Sequence, residues 1–202
     1  MRAGILFSLA FFLCVFKVNS APDPVLDVYW KKLRTGVEYI VMPTAQVGER
    51  GGIILGAMGN KTCPAGVAQL RTNEYGHPLT ITPVNPKKGN PKKGVIRLST
   101  DVNIKFSGST ICHESTVWKL EYDTAMRQYA VMVGGVKGNP GPETLDNWFK
   151  IEKTNNGYKF VYCPSVCTYC KVMCRNVGIV VDENGLQRLA LSDDPLSVIF
   201  YP

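Results

Sequence analysis

The chain has 202 residues, of which 45 % are hydrophobic and 19 % charged, and its formal net charge at neutral pH is +7. This length can bury a core of its own, and the moderate charge together with the ordinary apolar content excludes an intrinsically disordered chain. The seven cysteines form an odd number, so they cannot all pair with one another.

Residues 1–20 have the pattern of a secretory signal peptide, with a positive start at Arg2 and an apolar run at residues 5–16. The run is shorter than the about 20 residues that span a bilayer, so we interpret it as a cleaved signal and not as an anchor. Cleavage removes Cys14 and two positive charges, which leaves six cysteines and a net charge of +5 on residues 21–202. We expect residues 21–202 to form one secreted domain, with a vacuolar destination as the alternative.

Short β-rich segments separated by turn residues follow in chain order. Twelve have strand character, at residues 38–43, 51–57, 79–84, 95–100, 102–107, 117–122, 129–134, 148–153, 158–163, 179–182, 187–192 and 196–201. Many alternate apolar and polar residues, which predicts strands with one buried face. Helical periodicity of ten residues or more is absent from the sequence. This pattern predicts a single all-β domain, a sandwich or barrel of about twelve strands.

A tandem repeat lies between the predicted strands at 79–84 and 95–100. Pro-Lys-Lys-Gly-Asn is followed by Pro-Lys-Lys-Gly-Val, which brings together Lys87, Lys88, Lys92 and Lys93. Prolines, glycines and paired lysines exclude a core position and predict an exposed loop, which we call the basic loop (residues 86–93). Such a loop could bind a polyanion or glycan, enter the acidic specificity pocket of a trypsin-like protease, or only add solubility. Aromatic residues do not alternate with these lysines, so nucleic acid is not an expected partner.

Four of the six remaining cysteines lie within twelve residues. The six are Cys63, Cys112, Cys163, Cys167, Cys170 and Cys174. In a reducing compartment the cluster would suggest a zinc or redox site, but an even number behind a signal peptide predicts three disulfides. Fifteen pairings are allowed by spacing alone. The simplest is nested, with Cys163–Cys174 around Cys167–Cys170 and with Cys63–Cys112 as a long tie.

Residues suited to enzyme chemistry are scarce. His77 and His113 are the only histidines, and neither lies in a motif with a nucleophile and an orienting carboxylate, so we interpret both as structural or surface residues. Phosphate-binding, dinucleotide-binding and metal-ligand motifs are also absent, and we expect no enzyme activity, cofactor or metal. Asn60 begins the one glycosylation sequon after the signal peptide. Later segments are not apolar enough to span a membrane, so we expect no membrane partner.

Motifs spread along the chain resemble those of a known family. They include Val-Leu-Asp-Val-Tyr-Trp-Lys-Lys-Leu at 25–33, Thr-Val-Trp-Lys-Leu at 116–120, the Gly-rich segment at 134–144, Trp-Phe-Lys-Ile-Glu at 148–152, the four-cysteine segment and Arg-Leu-Ala-Leu-Ser at 188–192. These motifs are similar to those of the plant Kunitz, or soybean-trypsin-inhibitor, family, and particularly to its miraculin-like branch. The resemblance implies a β-trefoil of twelve strands with approximate threefold symmetry, and the same three disulfides.

The resemblance also implies a function, which is inhibition of a trypsin-like serine protease in a 1:1 complex by a rigid, substrate-like loop. It places the basic specificity residue at Lys92 and the residue after the scissile bond at Lys93, with Lys87 and Lys88 as alternatives if the loops differ in length. Thr35 corresponds to the asparagine that supports this loop in the best-known inhibitors. The alternative function is that of a defence- or stress-associated protein that binds a partner or glycan without inhibiting proteases.

The chain departs from the family pattern at several positions. Threonine at position 35 lacks the second functional group of an amide, and the duplicated Pro-Lys-Lys-Gly lengthens the basic loop, so both changes are expected to weaken inhibition. Trp30 stands where the family signature has Asp or Gly, which predicts a different turn in the first hairpin. The cysteine that joins subunits in the miraculin-like branch is missing between residues 151 and 158, so we expect a monomer.

Overall fold

The computed structural model describes residues 21–44, 50–58, 61–85, 94–109, 112 and 114–202. The described residues contain twelve β-strands and a short 3₁₀ helix at Pro142–Asn147. The strands are β1 Glu38–Pro43, β2 Ile53–Met58, β3 Lys61–Gln69, β4 Leu79–Pro83, β5 Val102–Phe106, β6 Lys119–Asp123, β7 Gln128–Met132, β8 Lys150–Lys153, β9 Tyr158–Tyr162, β10 Arg175–Val181, β11 Gln187–Ser192 and β12 Val198–Tyr201. The predicted signal peptide at residues 1–20 lies outside the described part.

Six of the strands form a closed ring of antiparallel pairs. β1 pairs with β4, β4 with β5, β8 with β9, β9 with β12, and β12 with β1. The remaining junction, between β5 and β8, is made by the bridge between Val102 and Phe149, whose two backbone hydrogen bonds are 2.8 and 3.0 Å long. Closure leaves the ring without a free edge, which removes the aggregation hazard of unpaired strands.

The other six strands form three hairpins with a common arrangement. β2 pairs with β3, β6 with β7, and β10 with β11, and the second strands of the three hairpins also pair with one another. The same four-strand unit therefore occurs three times in chain order, as β1–β4, β5–β8 and β9–β12. This threefold repeat of twelve strands is the β-trefoil that the resemblance predicted.

Aromatic rings fill the centre of the core. Trp118 is fully buried, and its ring centroid lies 6.0 Å from that of Phe106, 6.0 Å from that of Phe149 and 5.3 Å from that of Phe160. Phe200 extends the cluster, with its centroid 6.1 Å from that of Phe160. These rings come from the second and third repeats, and Tyr39 of the first repeat joins them with its ring centroid 6.5 Å from that of Phe200, so all three repeats contribute to the aromatic core.

Most predicted strands are confirmed, but β10 begins at Arg175, four residues before the segment predicted at 179–182, and two further segments differ from expectation. β3 was not predicted because Pro64 and Gly66 interrupt it, and both residue types are depleted in strands. The predicted strand at 95–100 is wrong, since only isolated bridges form there, at Val95 with Arg34 and at Arg97 with Pro24. Residues 24–26 and 32–35 form the two arms of an N-terminal hairpin, which the bridge between Leu26 and Lys32 joins. The segment at 95–100 contacts these two arms in turn and does not run alongside one partner.

Three disulfides connect the six cysteines in the nested arrangement. The pairs are Cys63–Cys112, Cys163–Cys174 and Cys167–Cys170, at sequence separations of 49, 11 and 3 residues. The first joins β3 to the segment after β5. The other two lie in the irregular connection between β9 and β10, so this connection is cross-linked where it has no strand partner.

Candidate functional site

The basic loop connects β4 to residues 94–98, which precede β5. Lys87, Lys88, Lys92 and Lys93 all lie in residues 86–93, outside the described residues. The structure therefore describes the two ends that hold the loop, which we call the loop stem: residues 82–85 on one side and 94–98 on the other, with the residues that bind them.

The N-terminal side of the stem leaves the closed ring of strands. Thr82 and Pro83 of β4 pair with Asn103 and Val102 of β5, and the next residue, Val84, donates its backbone N–H to the carbonyl of Asp101 at 2.8 Å. Antiparallel pairing therefore continues one residue beyond β4. The basic loop begins from backbone that is hydrogen-bonded to the core strands.

The C-terminal side of the stem lies between the two arms of the N-terminal hairpin. The backbone N–H of Ile96 donates to the carbonyl of Leu33 at 3.0 Å, and the carbonyl of Ile96 accepts from Val25 N–H at 2.9 Å. The carbonyl of Gly94 accepts from Thr35 N–H at 2.9 Å. Gly94 and Ile96 are both buried, so the chain leaves the basic loop directly into a packed, hydrogen-bonded position.

Thr35 lies at this end of the loop, where the resemblance placed the supporting residue. Its side chain is 3 % exposed, and its Oγ1 has no hydrogen-bond partner among the described residues. A buried hydroxyl without a partner costs about 1–3 kcal/mol. The hydroxyl is consequently available as a donor or acceptor beside Gly94, the first stem residue after the basic loop.

Tyr39 of β1 holds the backbone of Arg34, the residue before Thr35. Its hydroxyl accepts a hydrogen bond from the backbone N–H of Arg34 at 2.9 Å. Burial raises the pKa of the Tyr39 hydroxyl above its ordinary value of 10.0, against a smaller lowering by this hydrogen bond. The group thus stays neutral at physiological pH and keeps its role as an acceptor next to Thr35.

Asp101 connects the loop stem to the four-cysteine segment. Its backbone carbonyl holds Val84, while its carboxylate accepts hydrogen bonds from the backbone N–H of Ser165 at 3.2 Å and from the Ser165 hydroxyl at 2.5 Å. The Nζ of Lys150 lies 3.9 Å from the same carboxylate. Asp101 is 5 % exposed, so one buried residue holds two irregular segments that are distant in sequence.

The turn at residues 27–31, which we call the Trp30 turn, is held by the side chain of Asp27. Asp27 Oδ1 accepts hydrogen bonds from the backbone N–H groups of Tyr29 and Lys31, each at 2.9 Å. Trp30 has a φ of 62°, in the left-handed region that favours glycine, and it is 83 % exposed. A non-glycine residue held there costs about 1–2 kcal/mol, so the turn retains a bulky exposed ring at the expense of backbone strain.

The histidine that the structure describes has a structural contact. His77 Nδ1 accepts a hydrogen bond from Leu55 N–H at 3.2 Å, and its ring meets the edge of Phe106 at a centroid distance of 6.2 Å. His113 and the sequon residue Asn60 lie outside the described residues. Within the described part, no three His, Cys, Asp or Glu side chains are grouped so that they could hold a metal ion, and no helix is long and apolar enough to cross a membrane.

The family resemblance drew attention to Thr35, but neither the motifs nor the resemblance indicated Asp101 or Tyr39. Asp101 and Ser165 are 64 positions apart, and no local motif relates them. Tyr39 fits the buried positions of β1 like any apolar residue, and its sequence position does not show that its hydroxyl reaches the backbone of Arg34 in the folded chain. The signal that could have drawn attention to Asp101 is its place directly before an apolar strand, where a charged residue is often bound by the fold.

Comparison with known proteins places the chain in a family. The legume Kunitz family model, described as trypsin and protease inhibitor, matches residues 25–201. Miraculin from Synsepalum dulcificum is 47 % identical over 90 % of this chain and 84 % of its own, and Kunitz trypsin inhibitor 5 from Arabidopsis thaliana is 42 % identical over 90 % and 87 %.

A solved structure supports the same conclusion. The Kunitz-type cysteine protease inhibitor PCPI-3 from potato superposes with a TM-score of 0.74 at 33 % identity, covering 89 % of this chain and 97 % of that one. The threefold repeat, the closed ring of six strands and the three disulfides agree with this match. The chain is a β-trefoil member of the Kunitz family of trypsin and protease inhibitors.

Proposed function

We propose that this protein is a secreted inhibitor of trypsin-like serine proteases that presents the basic loop as a substrate would. Lys92 enters the specificity pocket of the protease, and Lys93 follows the bond that the protease would cut. The acidic pocket of a trypsin-like enzyme complements a lysine side chain, which is extended and always positively charged at neutral pH.

The observation that carries the proposal is the loop stem. Both ends of the basic loop enter hydrogen-bonded backbone within one or two residues, at Val84 on one side and at Gly94 and Ile96 on the other. Fixed ends lower the entropy that a loop loses when a protease binds it, so more of the contact energy appears as affinity. Thr35 is proposed to bind the loop with its unpartnered hydroxyl and so to add to this preorganisation.

Family membership supports the same function. Arabidopsis Kunitz trypsin inhibitor 5 and the latex serine proteinase inhibitor of Carica papaya, 32 % identical over 89 % of this chain, are both named for inhibition of serine proteases. Their names describe those proteins. Together with four lysines in a loop held at both ends, they favour trypsin-like enzymes as the target class of this chain.

Titration of trypsin with the protein lacking residues 1–20 tests the proposal. We expect stoichiometric 1:1 loss of activity and a monomeric inhibitor, measured by residual hydrolysis of a small substrate and by size-exclusion chromatography. Lys92→Ala is expected to weaken inhibition by about 30-fold or more, because the side chain in the specificity pocket is the principal contact of such complexes. The double variant with Lys93→Ala covers a shift of register by one residue.

Lys137→Ala is the matched control, since Lys137 is an exposed lysine outside the basic loop. Inhibition by this variant should equal that of the unaltered protein. An intact inhibitor that leaves trypsin fully active at excess, or a loss of inhibition that is the same for Lys92→Ala and Lys137→Ala, would contradict the proposal. Loss only with Lys87→Ala or Lys88→Ala would move the specificity residue to the first repeat.

A second candidate function is binding without protease inhibition. One relative, at 47 % identity, is named Miraculin, and this name does not describe a protease inhibitor. In this case the basic loop would bind a polyanion or glycan, and retention on such a matrix would fall as salt screens the lysines. Papain belongs in the same titration, because the potato relative is named for inhibition of cysteine proteases.

We also propose that residues 1–20 direct the chain into the secretory pathway and are then removed, and that Asn60 carries a glycan. Both features suit a protein with three disulfides, which form and persist in oxidising compartments. N-terminal sequencing of the purified protein should begin at Ala21. Treatment with a glycosidase specific for asparagine-linked sugars should lower its apparent mass, and Asn60→Gln should remove that shift.

A further inference from the structure

A groove of about 430 Å³ lies between the Trp30 turn and the β8–β9 hairpin. Trp30 lines one side of the groove, and Lys153, Asn155 and Asn156 line the other. Tyr158, at the start of β9, also belongs to the lining. The volume falls in the range of about 300–1,000 Å³ that small-molecule sites occupy. None of these residues belongs to the basic loop or its stem, so the groove is separate from the proposed protease contact.

The walls of the groove are held in place by hydrogen bonds. Tyr158 Oη accepts the backbone N–H of Leu26 at 3.0 Å, which joins the base of the Trp30 turn to β9. In the opposite hairpin, Thr154 N–H donates to the Gly157 carbonyl at 2.9 Å, and the Thr154 and Ser197 hydroxyls lie 2.8 Å apart. The groove therefore exists before any ligand binds, and a ligand would not have to order it.

Trp30 is the most unusual residue of the groove. Its indole ring is 83 % exposed although burial would be favourable, and its backbone adopts a left-handed conformation that glycine would adopt without strain. Strain of this kind is commonly retained where function needs a side chain in that place. A flat, exposed indole beside a preformed groove is a surface on which another flat apolar face can stack.

Polar groups on the opposite wall define the chemistry of a ligand. Asn155 and Asn156 are exposed, and each amide offers two donors and an acceptor for hydroxyl groups. Lys153 is also exposed, and within the described residues no carboxylate lies at ion-pair distance from it. Asp27, the acidic residue in the lining, already accepts two backbone hydrogen bonds. Asp27 is only 8 % exposed whereas Lys153 is exposed, so the charge that the groove presents to solvent at its rim is the positive one of Lys153.

We propose that the groove binds a short acidic oligosaccharide built of hexuronic acid units. The C–H face of one pyranose ring stacks on the Trp30 indole, the amides of Asn155 and Asn156 bind ring hydroxyls, and the Lys153 ammonium pairs with a uronate carboxylate. A pyranose combines an apolar face, hydroxyls on its rim and, in a uronic acid, one carboxylate, which is the set of groups that the groove complements. The site is independent of the basic loop and of protease inhibition.

Titration with trigalacturonic acid, followed by tryptophan fluorescence and calorimetry, tests the proposal. Trp118 and Trp148 are buried, so a change in fluorescence on binding reports on Trp30. We expect saturable binding at one site. Trp30→Gly should weaken it about tenfold or more by removing the stacking surface, and it suits the left-handed backbone, so the variant should fold. Lys153→Gln should also weaken binding about tenfold.

Three controls separate this site from general attraction of anions. Lys137→Gln removes an exposed lysine elsewhere and should leave the affinity unchanged. Fully methyl-esterified trigalacturonate, which is neutral, should bind about tenfold more weakly than the acid. The variant with all four basic-loop lysines changed to alanine should bind as the unaltered protein does. Absence of saturable binding, equal binding of acid and ester, or loss of binding in the basic-loop variant but not in Trp30→Gly would each overturn the proposal.

Discussion

Two irregular segments of this molecule, the four-cysteine segment and the loop stem, are immobilised by different means. Residues 163–174 contain two disulfides within twelve residues, whereas the loop stem contains no cysteine and depends on backbone hydrogen bonds and burial. Asp101 belongs to both, since its carboxylate binds Ser165 and its carbonyl binds Val84. An irregular segment can thus be held in place by disulfides, or by packing and hydrogen bonding between parts of the fold that already pair with each other.

The difference matters for function. A disulfide acts mainly on the unfolded chain, and it needs only two side chains, so the residues between can remain exposed. Insertion requires buried positions such as Gly94 and Ile96, but it leaves the loop beyond them free to carry any residues. This explains how a tandem repeat of Pro, Lys and Gly can be accommodated at the end of the loop stem without a change in the strands that hold it.

Removal of the outer disulfide of the four-cysteine segment should have the largest effect. Cys163→Ser with Cys174→Ser is expected to lower the free energy of unfolding by about 3 kcal/mol, and Cys167→Ser with Cys170→Ser by about 2 kcal/mol, because the stabilisation grows with the size of the closed loop. Urea denaturation of the two double variants measures both values. Equal losses of unfolding free energy in the two double variants would show that loop size does not determine how much each disulfide stabilises the four-cysteine segment.

Asp101→Ala should have the next largest effect. The substitution removes the acceptor of Ser165 and the partner of Lys150, and we expect a loss of about 2 kcal/mol in the free energy of unfolding. Asp193→Ala is the matched control, since its ion pair with Arg175 is at the surface and its side chain is 97 % exposed, so no measurable change is expected. A similar loss in both variants, measured by urea denaturation, would remove Asp101 as the link between the segments.

Substitutions of Thr35 test whether its hydroxyl supports the basic loop. Thr35→Val keeps the shape and removes the hydroxyl that is proposed to bind the basic loop. The free energy of unfolding should change by less than about 1 kcal/mol, because the lost hydrogen bond and the saved cost of burying a polar group are similar in size. Inhibition of trypsin should become clearly weaker. Thr35→Asn, which restores the amide of the best-known inhibitors, should strengthen inhibition.

The two measurements on the Thr35 variants must diverge if the hydroxyl acts on the loop. Inhibition that follows stability, with Thr35→Val both more stable and more inhibitory, would assign Thr35 to packing alone. The urea midpoint and the trypsin titration on the same preparations distinguish the two cases.

Trp30→Gly should have the smallest effect on stability. Relief of the strained left-handed backbone exceeds the extra entropy of glycine in the unfolded chain, and we expect a gain of about 0.5 kcal/mol. Tyr29→Gly in the same turn is the control, because Tyr29 is not among the residues with positive φ and is 64 % exposed, so glycine should there lower stability. Thermal unfolding of the pair gives the sign of both changes. A loss with Trp30→Gly would show that the ring stabilises the turn.

Local patterns predicted most strands because each strand has its own alternation and its own turn signals. β1 and β11 have the predicted bounds. β3 was missed because its proline and glycine argue against a strand. Its pairing with β2, β7 and β11 stabilises the strand despite these two residues. The segment at 95–100 has strand composition but takes its hydrogen bonds from two arms of the N-terminal hairpin. Composition cannot reveal a partner that changes from one residue to the next.

The candidate site divides in the same way. A lysine-rich repeat, six cysteines after residue 20 and the family motifs are readable from residue types and spacing. The nested pairing could therefore be predicted, whereas the basic loop and the supporting role of Thr35 stay predictions. The contacts of Asp101 with Ser165 and of Tyr158 with Leu26 could not, because these residues are 64 and 132 positions apart.

The sequence by itself determined an all-β protein with a cross-linked connection, since alternation, turn residues and cysteine spacing are local properties, and it predicts one basic loop. Only the tertiary structure decided that the six-strand ring closes, that the loop ends lie against Thr35 and Asp101, and that Trp30 stands beside a groove. The physical reason is that these features depend on pairings between distant thirds of the chain, and such pairings become favourable only when the three repeats bury their shared aromatic core.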